Sequence, residues 1–599
     1  MSLRLVAAFP LFATCAWGQF FGLATPADGL RLYFATPLRQ KNTTQQDYGK
    51  LFRIDAGGLA LQESIPYQAP PATGPFTPAF SNPYDLQSAD VSSDGQVFAT
   101  VARRDCINDE DAVCEKGSNL ATTITAGGKS ADYPDFIRLS ANGKWAFGGT
   151  GKPLYSGLLG YLVNVTTGQR TVLGDFQPPL NSLPGSPPYT GVGRFQVAAS
   201  GRPIANDGTA VFSDLESLVV LQGSQARRIS LPNRDEPSDA VIDPTARKIV
   251  FAETAFSRGG IILTFNTSLR VADVASGNIA VLAADGYAPS LSDDGGTAVY
   301  LSKRDGPAQA WLIDTDGSGD RQLTHDPLGL QRAILSGDGS TAYAVTLGGR
   351  LLKIAVASGE IQELIPRTPY LDAGQSTAPE TLTTLTGEGL ADFALSAAAP
   401  LPYTLENVSV TIQGIPTRIA SLGPTGITVL TPPGVTPNQT APAQAQLDVA
   451  SPSPFAGPLI ALQIRDHNPE FLPTIPQYML AAHEDWSALV TAANPAHPGE
   501  VVHAYASGLG DTSPAVAYGA PAPAVEPLAR LAVPYACFAE LSKEIPVAVL
   551  FEGLAPAYVG IYQVDWRVPA GVPAGDLLIF CRTGAQFGAS LGGVIRVGP

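Results

Sequence analysis

The residues that carry most protein chemistry are scarce in this chain of 599. It has two Met, five His and five Cys, and only 15% of its residues are charged. Five His and no Cys-x-x-Cys pair leave little with which to build a tetrahedral metal site. Lys and Arg number 37 against 53 Asp and Glu, a net charge of −16. Clusters of cations that could neutralise phosphates are lacking, which excludes a nucleic-acid binder. No run after the first twenty residues is long and apolar enough to cross a bilayer, which takes about 20 residues. Uninterrupted helical stretches are equally rare, because 61 Gly and 52 Pro punctuate the chain. Those residues break helices and bound short strands. With 45% hydrophobic residues, too many for a disordered chain, the composition predicts an all-β, turn-dense protein. Its length predicts several domains, at roughly 100–200 residues each.

Residues 1–18 predict a secretory signal peptide. Arg4 precedes an apolar run from Leu5 to Ala13, and Ala16-Trp17-Gly18 supplies a small-x-small end before Gln19. A lipoprotein signal using Cys15 is the rival, but Phe12-Ala13-Thr14 fits a lipobox poorly. Export to the periplasm, cell surface or extracellular space leaves Cys106, Cys114, Cys537 and Cys581 in an oxidising compartment. Four cysteines allow three connectivities. Pairing by proximity gives Cys106–Cys114 and Cys537–Cys581, with free buried thiols as the alternative.

From residue 19 to 366 one unit recurs: a small turn, an alternating run, a loop, a second alternating run and a Gly-centred turn. The first turn carries Asp28-Gly29, Asp94-Gly95, Asn142-Gly143, Asp207-Gly208, Asp294-Gly295 and Asp338-Gly339 in six copies. A copy from Val241 to Thr254 keeps the strands without Asp-Gly. Asp-Gly and Asn-Gly supply the positive φ of tight turns. Seven units of about 49 residues suit four-stranded blades, so the segment predicts a β-propeller of about seven blades. The second and third units are longest, with 66 residues from Gly29 to Gly95 and 65 from Gly143 to Gly208. Such insertions are where specificity is expected to sit. The sixth copy carries Ser292-Asp293-Asp294-Gly295, Lys303-Arg304-Asp305-Gly306 and Trp311 to Thr324. It resembles the WD40-like repeat of TolB-type periplasmic propellers, which implies a rigid disc used for protein contact. The amino-terminal α/β domain of that family is absent, so its partners do not carry over.

Composition shifts near Arg367. Residues 367–599 hold 28 of the 52 Pro, one Lys, seven Arg and 18 acids. Val408 to Val435 aligns with Val547 to Val572, with Gly414, Gly426 and Gly434 matching Gly553, Gly560 and Gly571. Two Ig-like β-sandwiches, 367–471 and 472–599, are the simplest account. The first copy resembles IPT/TIG-type domains. The pair, through Gly553-Leu554-Ala555-Pro556 and the Val568-to-Gly575 string, looks like the carboxy-terminal domain family of acidobacterial secreted proteins, a family without an assigned activity.

Catalytic motifs are few. There is no Gly-x-Ser-x-Gly elbow, so the α/β-hydrolase that follows some propellers is not expected. His503 and Ser507 stand close in sequence without any need to meet. His483-Glu484-Asp485 reads as a solvated loop rather than a metal ligand set. Asp314-x-Asp316-x-Ser318 reads as a hairpin turn, because His325 occupies the twelfth position where a calcium loop needs an acid. Arg104 to Asp111 is acid-rich and could hold a structural calcium ion, though a solvated surface insertion is the better account. Gly149-Thr150-Gly151-Lys152 departs from a phosphate loop at Pro153. No catalytic, cofactor or metal residue emerges. The sequence therefore predicts an exported, monomeric, non-enzymatic binding or scaffold protein whose ligand is a protein, peptide or glycan, with Ig-like spacer or attachment modules. The alternative is a propeller-borne glycan lyase or hydrolase with carboxylates at the central channel.

Overall fold

The computed structural model describes residues 20–36, 38–40, 48–65, 84–104, 120–134, 136–150, 159–175, 201–214, 217–223, 225–231, 236–259, 262–372, 374–447, 453–457, 460–473, 478–539, 544–584 and 590–599. Every regular element among them is a strand. The leader with Cys15, the Cys106–Cys114 pair and the acidic run after Arg104 lie outside the described residues. The chain divides into two compact units. One runs to Arg367 and takes in Ser453–Phe455; the other begins at Thr368.

The first unit holds seven antiparallel sheets whose strands run in chain order. They extend from Phe21–Ala24 to Gly58–Ile65, from Tyr84–Val91 to Lys129–Pro134, and from Phe136–Leu139 to Gln169–Asp175. The fourth runs from Ala210–Asp214 to Gln225–Ser230, and the fifth from Glu236–Ile242 to Ile279–Ala283. The last two run from Tyr287–Leu291 to Arg321–Gln322 and from Leu330–Leu335 to Ile361–Ile365. Among the described residues the fourth has three strands and the others four. Alternation puts small and branched residues between successive sheets: Val299, Leu301 and Leu312 of the sixth meet Ala333, Leu335 and Ala344 of the seventh.

The recurring turn is what joins one sheet to the next. In the second sheet the Ser92 hydroxyl donates to Asp94 Oδ1 (2.6 Å) and accepts from the Val97 N–H (2.9 Å). Ser292 and Asp294 repeat the pattern in the sixth sheet, and Ser336 and Asp338 in the seventh. So closed, the turn presents one backbone N–H to its neighbour. Ala27 N donates to Ser93 O (2.8 Å), Ser93 N to Ala141 O (2.7 Å) and Asn206 N to Pro244 O (2.9 Å). Asp293 N donates to Gly337 O (2.6 Å) and Asp338 N to Ala27 O (2.9 Å). Between the third and fourth sheets the Asn206 side chain takes the role, accepting from Asn142 N (2.8 Å). The fifth copy has Pro244 at the donating position and no N–H to give. There Lys248 Nζ reaches Thr315 Oγ1 (2.6 Å) of the sixth sheet instead. The bond from Asp338 to Ala27 joins the last sheet to the first and closes a ring. Tyr343 Oη adds a second tie, donating to Gly29 O (2.7 Å).

In the second unit, two five-stranded sheets enclose one core that includes Leu385, Val410, Ile412, Ile427, Val429 and Leu462. The remaining strands form a ten-stranded sheet folded over a core centred on the fully buried Trp566. Its fold depends on the strand Ile545–Leu554, which pairs with Ala536–Ala539 at its start and with Tyr562–Arg567 beyond it. The internal repeat is therefore only partial. Arg418–Leu422 forms a strand in the first copy. Its counterpart around residues 555–561 is a turn, where Pro556 precedes Ala557 at φ +67°.

The Cys537–Cys581 disulfide is present and bridges directly opposed residues of neighbouring strands. It closes a separation of 44 residues. Replacing both cysteines by Ala is expected to lower stability by about 2–4 kcal/mol, read from urea midpoints.

The serine–aspartate turns have a pH signature. The Ser92 hydroxyl and the Gln96 N–H hold the Asp94 carboxyl below the usual carboxylate range, and Ser292 and the Gly296 N–H do the same for Asp294. A carboxyl lowered on folding contributes stability that is fully present above its unfolded value of about 3.9 and is lost as the pH falls through the lower folded value. Stability should therefore drop below about pH 4. Ser92→Ala and Ser292→Ala together should flatten that acid limb in urea midpoints measured against pH.

Candidate functional site

Residues from strands and turns around the ring meet at its axis. They line one small cavity, among them Leu23, Asp90, Arg138, Arg202, Ile242 and Asp293. Irregularities in the inner strands help aim these groups. The register shifts between Ser238 and Val241 and between Tyr287 and Ser290, with Asp239 at φ +50° and Ala288 at φ +51°. Such bulges redirect side chains where a regular strand would not.

Two arginines and two aspartates occupy the axis. Asp90 is buried; its Oδ1 accepts from Val91 N (2.9 Å), its Oδ2 from Leu139 N (2.8 Å), and Arg138 approaches it to 4.0 Å. Burial lowers the Arg138 guanidinium from its usual range, Asp90 works against that, and Arg202 adds like-charge repulsion. Arg202 reaches across the ring. Its Nη1 donates to Asp293 Oδ1 (2.8 Å) and Ser93 Oγ (3.0 Å), and its Nη2 to Val91 O (2.9 Å). Ser93 in turn donates a short hydrogen bond to Asp293 Oδ2. One guanidinium, from the segment before the fourth sheet, thus ties Val91 and Ser93 to Asp293. Gly337 makes room for this: a Cβ there would lie 2.3 Å from Asp293 Oδ2.

This arrangement does not suit acid–base chemistry. Glycoside cleavage needs an acid with a proton to give and a second carboxylate able to act on sugar or water. Both lining aspartates are already bonded to arginine and to backbone or serine donors. The cavity measures about 50 Å³, enough for a few water molecules and too small for a sugar ring. A larger concavity of about 580 Å³ lies in the second unit, between Tyr403, Ile415, Pro416, Pro432 and Tyr518, with no ionisable group other than tyrosine in its lining.

The residues singled out in the sequence fall as follows. Asp314, Asp316 and Ser318 form the hairpin turn, with Ser318 Oγ donating to Asp316 Oδ1 (2.6 Å). Gly149 and Thr150 end a strand. Glu484 and Asp485 are exposed, as a solvated loop requires, but His483 is not. It is buried, with Nδ1 2.6 Å from Glu500 Oε1 and Nε2 3.3 Å from Asn494 O. His503 does not meet Ser507; its Nδ1 lies 2.7 Å from Asp565 Oδ1. Among the described residues no group of three His, Cys, Asp or Glu is disposed to hold a metal ion. No helix among them is long and apolar enough to cross a membrane. The Arg202–Asp293 pair had no sequence signal, being 91 residues apart.

No family model matches the chain, and no curated protein matches it. Solved structures similar to it include hydrazine synthase of Kuenenia stuttgartiensis, at 12% identity over 58% of this chain and 96% of that one, with a TM-score of 0.34. An oligogalacturonate lyase in complex with manganese matches at 11% identity over 55% and 86%, with a TM-score of 0.35. The β-propeller domain of the trilobed protease of Pyrococcus furiosus matches at 8% identity over 58% and 98%, with a TM-score of 0.35. Likeness this distant carries no argument about activity.

The axial pair gives a direct test. Breaking a largely buried ion pair from one side leaves its partner uncompensated and costs about 3–5 kcal/mol, whereas replacing both members by apolar residues is often neutral. Asp293→Leu and Arg202→Met singly are each expected to destabilise the first unit strongly. The double variant should recover most of the loss, a coupling readable by a double-mutant cycle in urea.

Proposed function

We propose that this chain is an exported, non-enzymatic binding or scaffold protein. In this reading the seven sheets are the blades of a seven-bladed β-propeller, a rigid disc that contacts a protein, peptide or glycan. The second unit supplies two Ig-like modules as spacer or attachment domains. The observation that carries the reading is the axis, where Asp293 is bonded to Arg202 and Ser93, Asp90 accepts two backbone N–H groups beside Arg138, and the cavity measures only about 50 Å³. A catalytic propeller would need free carboxylates and room for substrate at that place. Export is supported by the character of residues 1–18 and by a disulfide that would persist only in an oxidising compartment.

The test uses the purified full chain against a panel of polysaccharides and peptides. Saturable binding without release of product, from a protein that sediments as a monomer, is the expected result. Turnover that is lost on Asp90→Asn or Asp293→Asn would overturn the reading in favour of a glycan lyase or hydrolase.

A further inference from the structure

The outer face of the ten-stranded sheet carries a group of side chains that its fold does not use. Val502, Ala504 and Ala506 turn into the core from the strand Val501–Ser507, as Val564 and Trp566 do from Tyr562–Arg567. His503 and Tyr505 therefore face outward beside Gln563 and Asp565, their register partners across the pair. Over this block lies Trp486, its ring stacked on His503 at 3.8 Å and 11° and 6.4 Å from Tyr505.

Trp486 is the anomaly. It sits at φ +61° in the loop between His483 and Ala488, yet remains 51% exposed. A left-handed backbone disfavours a bulky residue and suits glycine, so the fold alone gives no reason for tryptophan here. Strain of this kind points toward function when a residue is held in place by its surroundings. Here the His503 ring holds it from beneath, and His503 is itself fixed by Asp565 Oδ1 at Nδ1 and by Glu484 O at Nε2 (3.2 Å).

The polar atoms around the platform decide what it fits. Several tyrosine hydroxyls of the second unit are engaged: Tyr518 donates to Leu430 O, Tyr535 to Leu509 O and Tyr562 to Gly510 O. Among the described residues the hydroxyl of Tyr505 and the indole N–H of Trp486 make no hydrogen bond. Gln563 and Asp565 each commit one side-chain polar atom, Nε2 and Oδ1, and leave the other oxygen open. Apolar protein side chains docking on these rings would bury those groups unpaired, at a cost. A quaternary ammonium would use the aromatic faces and none of the donors or acceptors. A pyranose ring uses both, since its C–H face lies flat on indole while its hydroxyls give and accept hydrogen bonds at the rim.

We propose that Trp486 and Tyr505, rimmed by Gln563 and Asp565, form a binding platform for a neutral oligosaccharide of β-linked pyranose units with equatorial hydroxyls, an arrangement that leaves apolar ring faces free to stack. This deepens the proposed binding role and places a ligand site on a module that the reading above treats as a spacer.

The test titrates cellohexaose into the full chain, followed by calorimetry and tryptophan fluorescence, with tetramethylammonium and decaproline as competing probes. Saturable cellohexaose binding is expected. Trp486→Gly, which suits the left-handed backbone, should weaken it at least tenfold without lowering the melting temperature, Trp486→Phe should restore part of it, and Trp311→Phe in the other unit should leave it unchanged. Absence of saturable cellohexaose binding, equal binding by Trp486→Gly, or preferential binding of either competing probe would overturn the proposal. If the variant melts earlier and cellohexaose binds as before, Trp486 is only a cover for His503. Product analysis of the same mixtures keeps the two readings separate: a bound and cleaved hexaose refutes the non-enzymatic role while leaving the platform standing.

Discussion

The first unit depends on one hydrogen bond repeated around a ring, from a turn N–H of one sheet to a turn carbonyl or amide oxygen of the next. Individually such a bond is worth about 0.5–1.5 kcal/mol net. Its importance is geometric. The donating N–H is free only because serine and aspartate side chains close the turn from within, as Ser92 and Asp94 do. Once the bond from Asp338 to Ala27 forms, the last sheet is tied to the first and neither stands as an exposed edge, which is how radial arrangements of sheets avoid edge-to-edge association.

Ring closure also determines what the axis can be. Inner strands that converge bring polar side chains into a small space, and buried charge must be paired. Arg202 meets that demand by donating to both Asp293 and Val91 O, and Asp90 by accepting two backbone N–H groups beside Arg138. A channel stapled in this way is stiff and leaves little room. In the proposed binding role, contact comes from surfaces that the fold leaves unspent. The outward face of the last sheet, with its strained tryptophan and open hydroxyl, is one of these.

Much of the ring was legible in the sequence, because Asp-Gly and Asn-Gly mark turns locally and the alternating runs mark strands. The fifth copy was the hardest to see for the reason that it behaves differently: Asp243-Pro244 replaces the Ser-x-Asp-Gly pattern and surrenders its donor to Lys248. Pairing by proximity anticipated Cys537–Cys581, since opposed strands of one sheet carry both. The axial charges were not legible. Arg202 follows a Gly in an unremarkable stretch, and nothing local says that Asp293 or Ser93 lies across the ring. Nor did the His483-Glu484-Asp485 run disclose that His483 would pair with Glu500 while the neighbouring Trp486 stacked on His503. Those arrangements follow from strand register over tens of residues, to which local pattern is blind. The second unit's repeat misled for the opposite reason. Matching glycines implied matching strands, but Pro556 and a positive-φ Ala557 make a turn where the first copy has Arg418–Leu422.

Amide hydrogen exchange at the ring's turns tests the central claim most directly. Ala27, Ser93, Asn206, Asp293 and Asp338 lie in turns, where amides ordinarily exchange quickly, yet each donates to the next sheet. If the ring is closed by these bonds, their exchange should be as slow as that of the buried strand residues Val299 and Ala344, and should follow global unfolding of the unit. Exchange within minutes, as fast as that of the outer hairpin residues Gly58 and Gly359, would contradict the account.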